Sequence, residues 1–235
     1  MVLNFKIRAE SFKKFLQPFA VFKQVSFKIE KDGIILVSQT PEYNIRIEAI
    51  IPPRYFFEYS LKESFSGILN LEKIMNFLSE DISGKWDKYF LIIEKNQENS
   101  KKTFKQPVLT AEEDYELELE PSLVVEHTNA LAGQLFEDFD CQDQISIRYR
   151  DKKLILKNIV LISSNEIEIE WTNITKLIGS DSTNLTIVYP LELKKILAIL
   201  KQGLLLKTNF DQRALQLQIF SEIHYQITLV TVIEE

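Results

Sequence analysis

The sequence predicts an α+β chain of two similar domains in tandem, each with two helices packed on antiparallel sheets. Three observations carry this. First, "VSFKIEKDGIILVS" (Val25 to Ser38) alternates apolar and polar residues, breaks at a charged turn and resumes as an apolar run, the pattern of a β-hairpin. A similar stretch, "ISIRYRDKKLILKN", begins at Ile145, 120 positions after Val25. Second, "LEKIMNFL" at Leu71 has a counterpart, "LKKILAIL", at Leu193, 122 positions on. Third, both spacings are about half of the 235 residues, a length that accommodates two cores of ordinary size.

Taken in order, a short strand "LNFKIR" opens the chain. Helix A follows over Ala9 to Phe19, with Phe12, Phe15, Leu16 and Phe19 at helical spacing and Pro18 near its end. Then come the hairpin at 25 to 38 and a strand "YNIRIEAII" closed by Pro52-Pro53. Helix B is "LEKIMNFLSED", with Leu71, Ile74, Met75 and Leu78 on one stripe, and strands at 89 to 95 and 103 to 109 complete the half. The second half opens with a strand "YELELE", and helix C lies within 127 to 139 on Leu131, Leu135 and Phe139. Next are the hairpin at 145 to 158 and a strand at 165 to 172. Helix D runs from Pro190 to Gln202, with Gly203 past its end and Leu193, Ile196, Leu197 and Leu200 on one face. Strands at 204 to 210, 214 to 220 and 223 to 232 end the chain. Each half thus reads as two helices among some eight strands, a repeat within a repeat. The expected boundaries are 1–108 and 116–235, with the acidic linker at 109–115.

Composition narrows the function. No apolar run is long enough to span a bilayer, no basic-then-apolar signal opens the chain, and a single cysteine, Cys141, fits a reducing compartment, so an intracellular protein (cytoplasm or nucleus) with no membrane partner is expected. Asn173 and Asn184 head glycosylation sequons that such a compartment would leave unused. Catalytic patterns are missing: no GxGxxG, GxxxxGK[ST] or CxxC occurs, and the expectation is a protein that is not an enzyme and needs no cofactor or metal. His127 and Cys141, on one helix, would lie roughly 21 Å apart and out of reach of each other. The clusters Glu112-Glu113-Asp114 and Glu137-Asp138-x-Asp140 lack the glycine turns and spacing of a cation loop and read as solvated surface. The net charge of −6 argues against tight, general nucleic-acid binding, which depends on neutralising phosphates, so any such role rests on a local patch.

The order and spacing of "SFKKFL", "DGIILVS", "IPPRYFFEY" (Ile51 to Tyr59), "LNLEKIMNFL" and the tail "LVTVIEE" resemble the sliding clamp family of proliferating cell nuclear antigen (PCNA) along nearly the whole chain. The resemblance implies two tandem clamp-type domains assembling three chains into a pseudo-six-fold ring, with helices lining the hole and sheets outside. Such a ring encircles double-stranded DNA without regard to sequence and serves as a polymerase processivity factor, tethering DNA polymerase and other replication and repair enzymes. Its further partners are a clamp loader and proteins carrying a clamp-binding peptide. The alternatives are one subunit of a heterotrimeric or checkpoint-type clamp, and a protein-binding adaptor that encircles nothing. Two departures stand out: the tail has Leu229, Val230, Thr231 and Val232 where the family usually has leucine-alanine-proline-lysine, and helix C carries acids in place of basic residues.

Carried onto this chain, the resemblance assigns DNA contact to Lys13 and Lys14 in helix A, Lys73 in helix B, and Lys194, Lys195 and Lys201 in helix D. It assigns the partner peptide to Gln39, Tyr43, Leu109, Ala214, Leu229, Val230, Thr231 and Ile233. It assigns the subunit interface to two edge strands of opposite charge, "SKKTFKQ" with Lys101, Lys102 and Lys105, and "NEIEIEW" with Glu166, Glu168 and Glu170.

Overall fold

A computed structural model of the chain describes residues 2–41, 45–78, 81–97, 100–110, 123–128, 136, 138–140, 144–151, 153–158, 168–171, 174–179, 183–200, 205–210, 214–220 and 223–230. The chain divides into two compact units, Met1–Ser38 with Glu48–Glu116, and Gln39–Ile47 with Leu117–Glu235.

The first unit starts with β1 (Val2–Ile7), which buries Leu3, Phe5 and Ile7 on one face. In α1 (Ala9–Leu16), Phe12, Phe15 and Leu16 are buried, and the Phe12 ring packs 6.2 Å from that of Phe5 on β1. The helix stops short of the Phe19 expected from periodicity. A 3₁₀ turn, Gln17–Phe22, takes over with Pro18 inside it, because proline lacks the N–H that another α-turn requires. The hairpin of β2 (Gln24–Glu30) and β3 (Gly33–Gln39) pairs Glu30 with Gly33 around Lys31-Asp32. Gly33, at φ 143°, takes a backbone conformation that side chains disfavour, and a Cβ there would lie 2.5 Å from the Ile51 carbonyl. After β4 (Ile45–Ile51) come two strands that periodicity alone leaves unread, β5 (Glu58–Leu61) and β6 (Phe65–Asn70).

Next, α2 (Leu71–Phe77) is capped by Asn70, whose Oδ1 accepts from the Glu72 N–H at 3.1 Å. It ends before "LSED", since Leu78 is already extended. The unit closes with β7 (Ile82–Asp87), also unread in the sequence, β8 (Phe90–Gln97) and β9 (Ser100–Pro107). Its sheets have the orders β5-β1-β7-β8-β9 and β4-β3-β2-β6. Within them β1 pairs antiparallel with β5 and β7, β8 with β7 and β9, and β2 with β3 and β6. The two sheets face each other, with Trp86 of β7 and Phe27 of β2 at 4.4 Å between ring centroids.

In the second unit, the strand β10 (Leu123–Thr128) includes His127 and Thr128, where the sequence predicts the start of helix C. The β-branched run Val124-Val125 and Thr128 suits an extended backbone. The expected strand "YELELE" and residues Leu131 and Leu135 of helix C lie outside the described residues; Phe136 and Phe139 are buried. The second hairpin, β11 (Gln144–Arg150) with β12 (Lys153–Asn158), pairs Ile145 with Asn158, and Asp151 at its turn has φ 52°, a left-handed position aspartate tolerates. Then follow β13 (Glu168–Trp171), β14 (Ile174–Gly179) and β15 (Thr183–Val188), the last two unread in the sequence. Helix α3 (Leu191–Ile199), N-capped by Pro190, is shorter than expected: Leu200 has already departed from helical geometry, and Gln202 and Gly203 lie outside the described residues. Strands β16 (Leu205–Phe210), β17 (Ala214–Phe220) and β18 (His224–Val230) complete the unit. Its sheet orders are β14-β10-β16-β17-β18 and β13-β12-β11-β15. Adding nine to every strand number of the first unit reproduces both, so the repeat read from two segments extends to the whole topology.

Two positions hold the sheets of the first unit together. Tyr59 of β5 donates its hydroxyl to the Glu30 carbonyl of β2, and burial, then the charges of Glu30 and Asp32, push its pKa well above the usual phenol value. At Gly67 of β6 a Cβ would meet Val108 Cγ1 at 2.3 Å and the Leu109 carbonyl at 3.0 Å, because the chain leaving β9 crosses over this residue. There Leu109 exchanges both backbone hydrogen bonds with Ile68, at 2.9 and 3.0 Å.

Gly67→Ala should therefore overpack this crossing and cost about 1–3 kcal/mol, read as a melting temperature several degrees lower; an unchanged melting curve would show the crossing to be loose. For Tyr59, the native state keeps a proton that the unfolded chain releases near pH ~10. Its contribution is complete below that pH and is lost as the pH rises beyond it. Tyr59→Phe should lose about 1 kcal/mol at neutral pH and show a shallower loss of stability under alkaline conditions, measured by urea unfolding from pH 8 to 11.

Candidate functional site

Cationic faces come first. In α1 the turns that bury Phe12, Phe15 and Leu16 leave Lys13 and Lys14 exposed, and in α3 burial of Leu193, Ile196 and Leu197 leaves Lys194 and Lys195 exposed. Each pair sits between apolar i, i+3, i+4 positions, so helical geometry alone turns both amines away from the core. Lys201 lies outside the described residues.

The two charged segments fall at sheet ends. β9 closes its sheet beyond β8 and carries Lys101, Lys102 and Lys105, all exposed; Lys101 Nζ lies 2.8 Å from Glu94 Oε1 of β8, and the Lys105 amine stands 3.8 Å from the centre of the Phe90 ring. β13, with Glu168 and Glu170 in its backbone register, closes the smaller sheet of the second unit beyond β12, and among the described residues neither strand has a second neighbour. Glu166 lies outside the described residues.

Of the residues assigned to the partner peptide, register brings Ala214 directly opposite Val230, with Leu229 opposite Leu215. Ala214 and Leu229 are buried, Gln39 and Val230 half-buried, so a ligand here would meet chiefly backbone. Tyr43, Thr231 and Ile233 lie outside the described residues. Leu109 belongs to the first unit and is 53% exposed, with its backbone fixed on β6.

Lys73, Lys105 and Leu109, assigned from the sequence to three different roles, line one cavity of about 210 Å³ together with Asn70, Phe104, Gln106 and Pro107. It lies beside the start of α2 and the second half of β9. Phe104 stacks on Phe77 of α2 at 5.3 Å, and buried Lys95 holds its amine 4.2 Å from the centre of the Phe77 ring. Sequence reading passes over Gln106. The signal is present all the same: Gln106 shares a strand face with Phe104, and a glutamine at an inward position of a sheet is a buried amide in need of partners.

Among the described residues no group of three His, Cys, Asp or Glu could hold a metal, and no helix is long and apolar enough to cross a membrane. His127 lies on a strand and Cys141 outside the described residues, so the helical spacing considered for this pair does not apply. Of the acidic clusters, Asp138 and Asp140 are exposed, and Glu112, Glu113, Asp114 and Glu137 lie outside the described residues.

No protein-family model and no curated protein matches the sequence. Solved structures do. PCNA of Archaeoglobus fulgidus (A. fulgidus) bound to the C-terminal region of FEN-1 superposes with a TM-score of 0.80, 14% identity and 100% of both chains covered. PCNA of Thermococcus kodakaraensis gives 0.78 at 14% identity, over 98% of this chain and 100% of that one. A chain of the PCNA2–PCNA3 complex of Sulfolobus tokodaii gives 0.76 at 17% identity, over 98% and 99%. The chain therefore has the PCNA-type clamp fold from end to end, in agreement with the resemblance carried by its residues.

Proposed function

We propose that this chain is a subunit of a DNA sliding clamp, a non-enzymatic trimeric ring that encircles duplex DNA and tethers polymerases and other replication and repair enzymes. The observation that carries the reading is the match to PCNA structures, which takes in 98% to 100% of this chain. The domains are 1–108 and 116–235, joined by a linker at 109–115. The ring works inside the cell, where its DNA is, and is placed there by a clamp loader.

Closure joins β9 of one subunit to β13 of the next. Opposite charge and sheet ends that have no second neighbour among the described residues support this, and a head-to-tail contact of this kind closes into a ring when the rotation between subunits allows. The lysines of α1 and α3 face the hole and meet phosphates as exchangeable point charges. Because topology holds the DNA, this contact need only be weak, and a net charge of −6 is compatible with it when the lysines act within a Debye length. Partner peptides dock on the second unit at Gln39, Ala214, Leu229 and Val230, using backbone groups; that the similar A. fulgidus PCNA is bound to the C-terminal region of FEN-1 supports partner binding in general. A heterotrimer is the second reading, favoured by the PCNA2–PCNA3 complex among the similar structures; related subunits would then supply the cations that the acidic 127–139 segment lacks.

Substituting Lys13, Lys14, Lys194 and Lys195 with alanine should lower processivity and flatten the salt dependence of DNA retention, by about one unit of log–log slope for each phosphate no longer neutralised. Unchanged retention on circular DNA across a salt series would remove these lysines from the DNA-facing surface. Reversing Glu166, Glu168 and Glu170 to lysine should turn the assembled ring into monomers in sedimentation velocity; a variant that keeps its oligomeric state would place closure elsewhere.

A further inference from the structure

The solvent face of the first unit's five-stranded sheet carries a strip in which apolar side chains alternate with cations. Trp86 of β7 points inward to Phe27, so strand alternation sends Lys85 to the opposite face. Register continues this row from Lys85 to Ile92 of β8 and Lys105 of β9, and the next row on the same face sets Phe90 opposite Pro107. Beside it the β7–β8 turn lifts Tyr89 clear of the sheet, 61% exposed, next to exposed Lys88. Lys88 Nζ stands 4.8 Å from the centre of the Tyr89 ring, and Lys105 Nζ 3.8 Å from that of half-buried Phe90. The neighbouring acids are engaged elsewhere. Asp87 Oδ1 accepts from the Tyr89 and Phe90 N–H groups at 2.7 and 2.8 Å, and Glu94 pairs with Lys101 at 2.8 Å. Among the described residues none of Lys85, Lys88 and Lys105 forms a salt bridge.

We propose that this face docks an acidic segment of a partner protein, one with carboxylates on either side of an aliphatic or aromatic side chain. The apolar side chain lies against Ile92, Phe90 and Pro107, and the carboxylates meet the three amines. Lys88 and Lys105 keep their rings on one side and pair with a carboxylate on the other, where the aromatic surface excludes part of the water and strengthens the pairing. The same geometry disfavours single-stranded nucleic acid. Stacking needs a bare ring face, and a base would have to displace an amine from Tyr89 or Phe90. An anionic lipid surface takes up apolar side chains that stand clear of the protein, and of Tyr89, Phe90 and Ile92 only Tyr89 is exposed. The site occupies the face of the sheet and not the β9 edge, so it stands whether or not the proposed ring closes.

The test is fluorescence anisotropy of a labelled synthetic peptide, glutamates around a central leucine-phenylalanine pair, with the full chain as wild type, as the double variant Lys85→Glu with Lys88→Glu, and as Tyr89→Ala. These positions are exposed, so the variants keep the fold, which an unchanged melting temperature checks, and sedimentation velocity follows assembly separately. If the face operates, wild type binds this peptide and not its lysine counterpart. The double reversal then weakens binding about tenfold or more, with a deficit that shrinks at high salt, Tyr89→Ala weakens it less, and Lys85→Arg retains it. No binding to wild type, or equal binding by all variants, rejects the docking face and leaves the ring reading as it was. Binding of an oligo-dT strand, or of vesicles of equal parts phosphatidylserine and phosphatidylcholine, through the same residues and without peptide binding overturns the proposal in favour of nucleic acid or membrane.

Discussion

Strand exchange between half-repeats governs the architecture. In the first unit, the strand that precedes α1 is not in the sheet of the hairpin that follows it: β1 lies beside β7, whereas β2 and β3 belong to the other sheet. Reciprocally, β6, which precedes α2, lies beside β2, and β7 to β9 lie in the sheet of β1. Each half therefore completes its partner's sheet. Neither set of apolar faces can be covered unless both halves fold, which couples Leu3, Phe5 and Ile7 of one half to Ile82 and Trp86 of the other in a single cooperative core. It also fixes where the helices go. Each one carries the chain from one sheet to the facing one, so it buries one stripe and turns the opposite stripe to solvent. The second unit repeats the exchange, with β10 beside β16 and β15 beside β11.

This arrangement explains which parts of the fold are legible in the sequence. Segments with an uninterrupted period come through: β2–β3 and β11–β12 keep their alternation to the turn, and α1, α2 and α3 keep an apolar stripe. The strands passed over are those whose identity depends on a distant neighbour. β6 and β7 carry Gly67 and Gly84, and glycine weakens a strand signal for the reason that makes it necessary here: another part of the chain approaches too closely for a Cβ. At Gly84 a Cβ would lie 2.3 Å from the Ile92 carbonyl and 2.9 Å from Phe5 Cζ. Helix ends are overextended because periodicity has no term for Pro18 at the start of a 3₁₀ turn, or for Leu78 turning extended. At His127 and Thr128 the error is one of type: the end of a strand is taken for the start of a helix.

The candidate sites divide along the same line. Exposed lysines on α1 and α3 and the charged edges can be read because each depends on local period and charge. The cavity cannot, because it is assembled from a helix start, a strand edge and the crossing at Leu109. Leu109, read in the sequence as the first residue of the acidic linker, is tied to β6 by two backbone hydrogen bonds.

Lys73 shows how placement decides a role that charge alone leaves open. Like Lys13 and Lys14 it is an exposed cation on a short helix of the first unit. Unlike them, it lines an apolar cavity beside a sheet end, with Phe104 and Pro107 as neighbours. An amine on an open helix face gains from diffuse phosphates and loses that gain to salt. An amine beside apolar walls is less exposed to water, so any pairing it makes is less screened and more demanding of geometry. On the proposed reading the two demands are opposite in kind: DNA must be held loosely enough to slide, and the ring closed firmly enough to stay on it. Assigning the lysines of α1 to the first and those of β9 to the second lets one unit meet both with the same residue type.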